Sequence, residues 1–219
     1  AYAYFGRYMP DLIAHKGYTI RKITDYVAWT SESIFGSCIG ASVSFVALYI
    51  IFGELLNAFG AGQFFIDIAY ALTGRMKGGP AEASVVSSAL MGSINGSAVA
   101  NVVTTGTFTI PLMKKVGYTP EFAGAVEAVA STGGQLLPPV MGAAAFVMAD
   151  LTGIPYSTII IAAIVPGLLY YVSLGVAVYL EACKKGLGSE DETRLPVVKQ
   201  VLKAGWYHAI PIVVLIVAL

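Results

Sequence analysis

The sequence predicts an all-α integral membrane protein containing a re-entrant helical hairpin and a broken crossing. Three observations carry that expectation. Hydrophobic residues make up 57% of the chain and charged ones only 12%, with a mean hydropathy of +0.74, where soluble domains carry about 25% charged residues. An uncharged run from Ala83 to Met113 is interrupted at its middle by Asn95-Gly96-Ser97, a turn signal. A second apolar stretch is interrupted by Gly133-Gly134 and Pro138-Pro139.

Taken in order, residues 1–32 form a mixed, aromatic-rich segment, within which Ile23 to Ile34 predicts an interfacial helix anchored by Tyr26 and Trp29. Gly36 to about Ala58 predicts a transmembrane helix, with a Gly36/Gly40 pair for close packing and Glu54 near enough to its end to snorkel. Gly60 and Gly62 break it, and Phe64–Leu72 is too short to cross, which suggests a connector along the membrane surface.

The run from Ala83 to Met113 would make one helix of about 46 Å against a hydrocarbon core of about 30 Å. It is too long for one crossing and too short for two. Two short arms spanning residues 80–113, with Asn95-Gly96-Ser97 at the buried tip, satisfy both limits. Pro80 suits the first turn of the first arm. Arg75 and Lys77 precede the hairpin and Lys114 and Lys115 follow it, so both ends fall on one face, the cytoplasmic one by the positive-inside rule. Non-helical backbone at such depth survives only inside protein or along a cavity, which makes the tip a candidate binding or permeation site.

Thr119-Pro120-Glu121 opens the next helix with an N-cap, a first-turn proline and a first-turn acid. It runs to about Ala130 and meets Ser131-Thr132-Gly133-Gly134-Gln135-Leu136-Leu137-Pro138-Pro139, where glycine relaxes the backbone and proline removes donors. Val140 to Leu151 resumes it, giving a broken crossing over 119–152. Residues 155–181 return through the membrane, with Pro166 as the expected site of a kink. A charged cytoplasmic loop over 189–203 follows, and 204–219 opens a further crossing. The basic N-terminal stretch falls on the outer side if 36–58 crosses once, which leaves its side unassigned. The chain begins without Met, shows no signal-peptide pattern and stops inside an apolar run, and so reads as a fragment.

Several function classes drop out. Net charge is zero and no basic patch is present, which excludes nucleic acid. Cys38 and Cys183 give neither a disulfide framework nor a ligand spacing. His15 and His208 are isolated, and there is no metal-binding His-Glu pair, P-loop or nucleophile elbow, so the chain is not read as an enzyme.

The two interruptions at matching depth form a physical recipe for binding a cation and an anion together. Helix ends there offer carbonyls to Na⁺, helix starts offer amides to a carboxylate, and Asn95, Ser97, Ser131 and Thr132 add neutral oxygens. Ser84, Ser87, Ser88 and Thr107 read as small packing residues. Thr104 and Thr105 stand between packing and substrate contact. Glu127, about two turns into its helix, is either a proton or substrate group or a carboxylate buried against a neighbouring helix or subunit. Asp150 reads as interfacial.

Residues 92–150, through NGSAxAN, TIPLMKxxGY and ASTGGQxxPP, resemble the large membrane subunit of tripartite ATP-independent periplasmic (TRAP) transporters, and are similar above all to fused permeases of the TAXI type. The likeness extends more loosely over about 33–188. It implies an ion-transporter-like inverted-repeat fold of which this chain holds one repeat, in a multi-pass protein of the bacterial inner membrane. It implies Na⁺-driven import of a small carboxylate-bearing solute, delivered by a periplasmic solute-binding protein, with a small membrane subunit or its fused equivalent and the missing second repeat as partners. By resemblance, Asn95, Gly96 and Ser97 at the tip, with Ser131, Thr132, Gly133, Gly134 and Pro138 at the break, form a first Na⁺ site; Asn95 stands where many relatives have Ser. Ser97, Thr104, Thr105 and Glu127 are the candidate substrate residues. A passive channel, or a scaffold subunit without a pathway, are the rival readings. A channel would pass current without a binding protein.

Overall fold

The computed structural model describes residues 2–10, 12–30, 36, 39–40, 43, 47–188 and 196–218. Cys38, Glu32, most of the first half of the expected 36–58 helix and residues 189–195 of the charged loop lie outside them. Among the described residues the regular structure is helical throughout. In order these helices are α1 (Tyr2–Phe5), α2 (Ile20–Trp29), α3 (Ala47–Ala58), α4 (Ala61–Thr73), α5 (Gly79–Asn95), α6 (Ala98–Val116), α7 (Pro120–Gly133), α8 (Ala143–Thr152), α9 (Tyr156–Lys184), α10 (Val198–Gly205) and α11 (Ala209–Ala218).

Helices α5 and α6 form an antiparallel hairpin of 17 and 19 residues, about 25 and 28 Å long. Helix α5 ends on Gly96 in the left-handed conformation (φ 61°), and α6 starts on Ser97, whose hydroxyl accepts from the Ala100 amide. Asn95 Oδ1 accepts from the Ser97 amide at 3.0 Å, closing an Asx turn. This is the local chemistry Asn-Gly-Ser specifies: a left-handed C-cap followed at once by an N-cap.

Helices α3 and α4 meet at 69° around Gly60, whose φ of 91° no β-branched residue would adopt. Helix α4 lies along α5, burying Ala61, Phe65 and Ala69. Residues 61–73 therefore belong to the helical body beside the hairpin. Helix α7 packs against both arms of the hairpin, and α9 covers α5 and α7 from the outside. Ala81, Val85, Met113, Tyr118, Val126 and Val178 make the main apolar core between them.

Helix α9 continues unbroken through Pro166 for 29 residues and is, among the described residues, the one single helix long and apolar enough to cross a bilayer. Its C-terminal end meets the open end of the hairpin. Gly78 donates to the Gly188 carbonyl at 3.3 Å, Tyr118 stacks on Phe122, and Lys185 sits over the Phe122 ring. Burial, then the carboxylates of Glu82 and Glu181 and the Cys183 thiol, push the Tyr118 phenol up to about 12. Lys114, Lys115, Lys184 and Lys185 thus flank one end of the bundle.

The break in the α7–α8 pair is placed later than the sequence suggests. Ser131, Thr132 and Gly133 are still helical, and the irregular stretch runs from Gly134 to Gly142. Tightened turns end α7: the amides of Gly134, Gln135 and Leu136 bond the carbonyls of Ser131, Thr132 and Gly133 in succession. Pro138 and Pro139, joined by a cis peptide, then supply no donors. The helix resumes at Ala143 rather than at Val140, after the Gly142 amide bonds back to the Gln135 carbonyl at 2.8 Å.

Candidate functional site

The hairpin tip and the α7–α8 break touch. A Cβ on Gly92 would lie 2.5 Å from the Gly134 Cα, and one on Gly134 would lie equally close to Gly92, so only paired glycines let these backbones meet. The Val140 amide donates to the Ser93 carbonyl at 3.0 Å, and Gly96 passes directly beneath the Met141 carbonyl. Tip residues Asn95, Gly96 and Ser97 and break residues Gln135, Val140 and Met141 line a common cavity of about 250 Å³. Tyr49 and Phe146 in its wall stack at 5.3 Å, and Phe146 stacks in turn on Tyr156 at 4.4 Å behind it. The Tyr156 hydroxyl bonds the Val140 carbonyl at 2.5 Å and the Pro139 carbonyl at 3.0 Å, which pins the loop.

The residues expected at a Na⁺ site are distributed unevenly around this contact. Asn95, Gly96 and Ser97 face the cavity. Gly134 forms the contact with Gly92, and Gly133 packs beneath the Tyr170 ring. Pro138 sits within the break, partly buried. Ser131 is fully buried and donates its hydroxyl to Glu127 Oε1 at 3.1 Å. Thr132 points outward, its hydroxyl bonded to the Ala128 carbonyl of its own helix. Thr104 likewise bonds the Ala100 carbonyl.

Asn101 is a residue that sequence reasoning missed. It has no exposed surface, and its Nδ2 donates to the Ser88 carbonyl at 2.9 Å. Its carboxamide lies beside Gly92, where the tip meets the break, and its Oδ1 is buried with no hydrogen-bond partner. An orphaned buried amide oxygen is costly, and a water or a hard cation satisfies it.

Beneath this contact, the Glu127 carboxylate is enclosed by hydroxyls. Ser84 donates to Oε2 at 2.6 Å and Thr109 to the same oxygen at 2.5 Å, while Ser131 at 3.1 Å, Ser88 at 3.3 Å and Thr105 donate to Oε1. Glu127, Thr105, Ser84 and Ser88 are all fully buried. The side chain has room because Gly106 opposes it; a Cβ there would lie 3.1 Å from Glu127 Cγ. Thr105 and Glu127 are fully buried and do not line the tip cavity. Ser84 and Ser88, read as packing residues, are ligands of this carboxylate. The sequence signal was available: Ser84/Ser88, Thr105/Thr109 and Glu127/Ser131 are three pairs at i, i+4, each on one helix face. Among the described residues no group of three His, Cys, Asp or Glu side chains is placed to hold a metal ion.

An apolar chain, helical throughout the regular structure of its described residues, whose α5–α6 tip docks on the α7–α8 break, with its hydroxyls gathered on a buried carboxylate, has the make-up of a helical membrane protein. Residues 12–219 match the family model described as tripartite ATP-independent periplasmic transporter, DctM component. The chain belongs to this family, which is a transporter component and not an enzyme. It is 31% identical over 162 residues to the C4-dicarboxylate TRAP transporter large permease protein DctM of Vibrio cholerae, covering 74% of this chain and 35% of that protein. It is 28% identical over 193 residues to the isethionate TRAP transporter permease protein DctMQ of Oleidesulfovibrio alaskensis, covering 87% of this chain and 30% of that one. It is 28% identical over 152 residues to the ectoine TRAP transporter large permease protein TeaC of Halomonas elongata, with 69% and 35% covered. The chain thus spans about a third of the length of the curated relatives it matches.

Proposed function

We propose that this chain carries the first inverted repeat of a Na⁺-coupled TRAP permease, with the tip–break contact as its first Na⁺ site. The observation that carries the reading is the buried, unpartnered Oδ1 of Asn101, a residue whose Nδ2 lies beside Gly92 at the Gly92–Gly134 contact. Asn95 and Ser97 at the tip cavity and Ser131 on α7 supply further neutral oxygens, and the unwound backbone and helix ends of discontinuous helices are where such transporters coordinate Na⁺. Helices α5 and α6, each shorter than a bilayer core and flanked by lysines and an arginine at one end, act as a re-entrant hairpin open to the cytoplasm. The α7–α8 pair is a broken crossing, and the whole is a multi-pass protein of the bacterial inner membrane.

The relatives' printed substrates include two organic acids, a dicarboxylate and a sulfonate. We assign the chain to import of a small organic acid delivered by a periplasmic binding protein. A small membrane subunit or its fused equivalent and the remaining permease repeat complete the assembly, with Ser97 at the tip as the substrate-facing residue. Uptake by the full-length permease reconstituted with its binding protein should require a Na⁺ gradient. Replacing Ser97 or Gly134 with Phe should abolish that uptake while the protein remains in the membrane. Uptake that persists in both variants overturns the site, and ion current without the binding protein overturns the transporter reading.

A further inference from the structure

We propose that Glu127 is a positioning residue for the Na⁺ site: its carboxylate ties both hairpin arms to the broken helix and so sets the orientation of Asn101 and Ser131. The inference rests on the Na⁺ reading above and concerns a residue outside the ligand set. Glu127 sits on α7 and accepts hydroxyls from Ser84 and Ser88 on α5, from Thr105 and Thr109 on α6, and from Ser131 one turn along its own helix. A single carboxylate therefore holds three helices in one register. Both carboxylate oxygens accept, whereas an amide puts an NH₂ in place of one oxygen and turns donors toward the hydroxyls that face it.

Two short paths lead from this carboxylate to the cation site. The Ser131 hydroxyl spends its one hydrogen on Oε1, which leaves its lone pairs as the free part of that oxygen. Ser88 donates to Oε1 and accepts Asn101 Nδ2 at its carbonyl, which fixes the carboxamide with nitrogen on Ser88 and leaves Oδ1 unpaired. Thr105 adds a third link, its one hydroxyl hydrogen shared between Glu127 Oε1 and the Asn101 carbonyl. A carboxylate that served only to glue helices would stabilise the fold equally with and without the cation. One that orients ligands changes how tightly the cation is held.

The test is Na⁺ protection against thermal unfolding, measured on purified full-length permease in NaCl against choline chloride, because a ligand bound by the folded state raises its stability according to occupancy. Glu127→Gln should raise the Na⁺ concentration giving half-maximal protection about tenfold or more, beyond any fall in baseline melting temperature. The double variant Ser84→Ala with Thr109→Val removes two donors on the side of Glu127 away from Asn101, and should raise it about threefold. Lower melting temperatures with the wild-type Na⁺ midpoint would make Glu127 a purely structural group and overturn the proposal. Should the Glu127→Gln permease not be purifiable, the double variant alone decides by the same criterion. A wild-type permease with no Na⁺ protection would instead remove the Na⁺ reading, and this inference with it.

Discussion

Adjacent side chains on α6 have different energetic roles. Thr104 and Thr105 follow one another, yet Thr104 bonds only its own helix while Thr105 is sealed against Glu127. Thr105→Val removes one of the three hydroxyls on the buried Glu127 Oε1 and should cost about 1–3 kcal/mol. Thr104→Val keeps the methyl that meets Gly62 and should change stability by less than about 0.5 kcal/mol. Unfolding midpoints of the purified variants separate the two. Glycines divide the same way: Gly92→Ala drives a Cβ into the Gly134 backbone and should cost about 1–3 kcal/mol, whereas Gly124, in the middle of α7 with nothing within 4 Å, should gain about 0.5–1 kcal/mol on replacement by Ala. Equal effects at positions 92 and 124 would mean that the tip–break contact is not tight.

At the scale of elements, the α7–α8 break is held from outside by α9. The Tyr156 hydroxyl bonds two carbonyls of the loop, and its ring closes the aromatic column through Phe146. Tyr156→Phe keeps the stack and removes both bonds, so stability should fall by about 1–2 kcal/mol, and a cysteine placed at Gln135 should react faster with a soluble maleimide. An unchanged labelling rate would show that the cis-proline loop needs no such tether. The turn at Asn95–Ser97 was legible in the sequence because its chemistry is local: a left-handed position, an Asx turn and an N-cap lie within three residues. The end of α7 was not, because glycines continue a helix when their amides find turn carbonyls, and only tertiary contacts decide that. Asn101 was hidden for a related reason. An asparagine on a helix has no sequence mark that tells whether its carboxamide is satisfied, and the i, i+4 hydroxyl pairs acquire meaning only once Glu127 is known to lie between them.

For the whole molecule, topology ties the site to function, and it follows from where the charged ends lie. The open end of the hairpin, the α6–α7 turn and the C-terminal end of α9 meet at one end of the bundle, through the Gly78–Gly188 bond and the Lys185–Phe122 contact. The α8–α9 turn at Gly153 lies at the far end of the 29-residue α9. A re-entrant hairpin requires the residues before α5 and after α6 to share one side of the membrane, while a pair of full crossings with its turn outside requires Gly96 to be open to the periplasm. Native Cys38 and Cys183 are first replaced, and single cysteines are then placed at Lys77, Lys115, Ile154 and Val99 in the full-length permease in intact cells. An impermeant maleimide added outside should label only position 154, while positions 77 and 115 should react only once the membrane is opened. Position 99, the second helical residue after the capping Ser97 and exposed on α6, discriminates between the two topologies. Silence there from outside places the tip within protein or bilayer, and strong labelling would make α5 and α6 two ordinary crossings and remove the physical basis for an ion site at their turn.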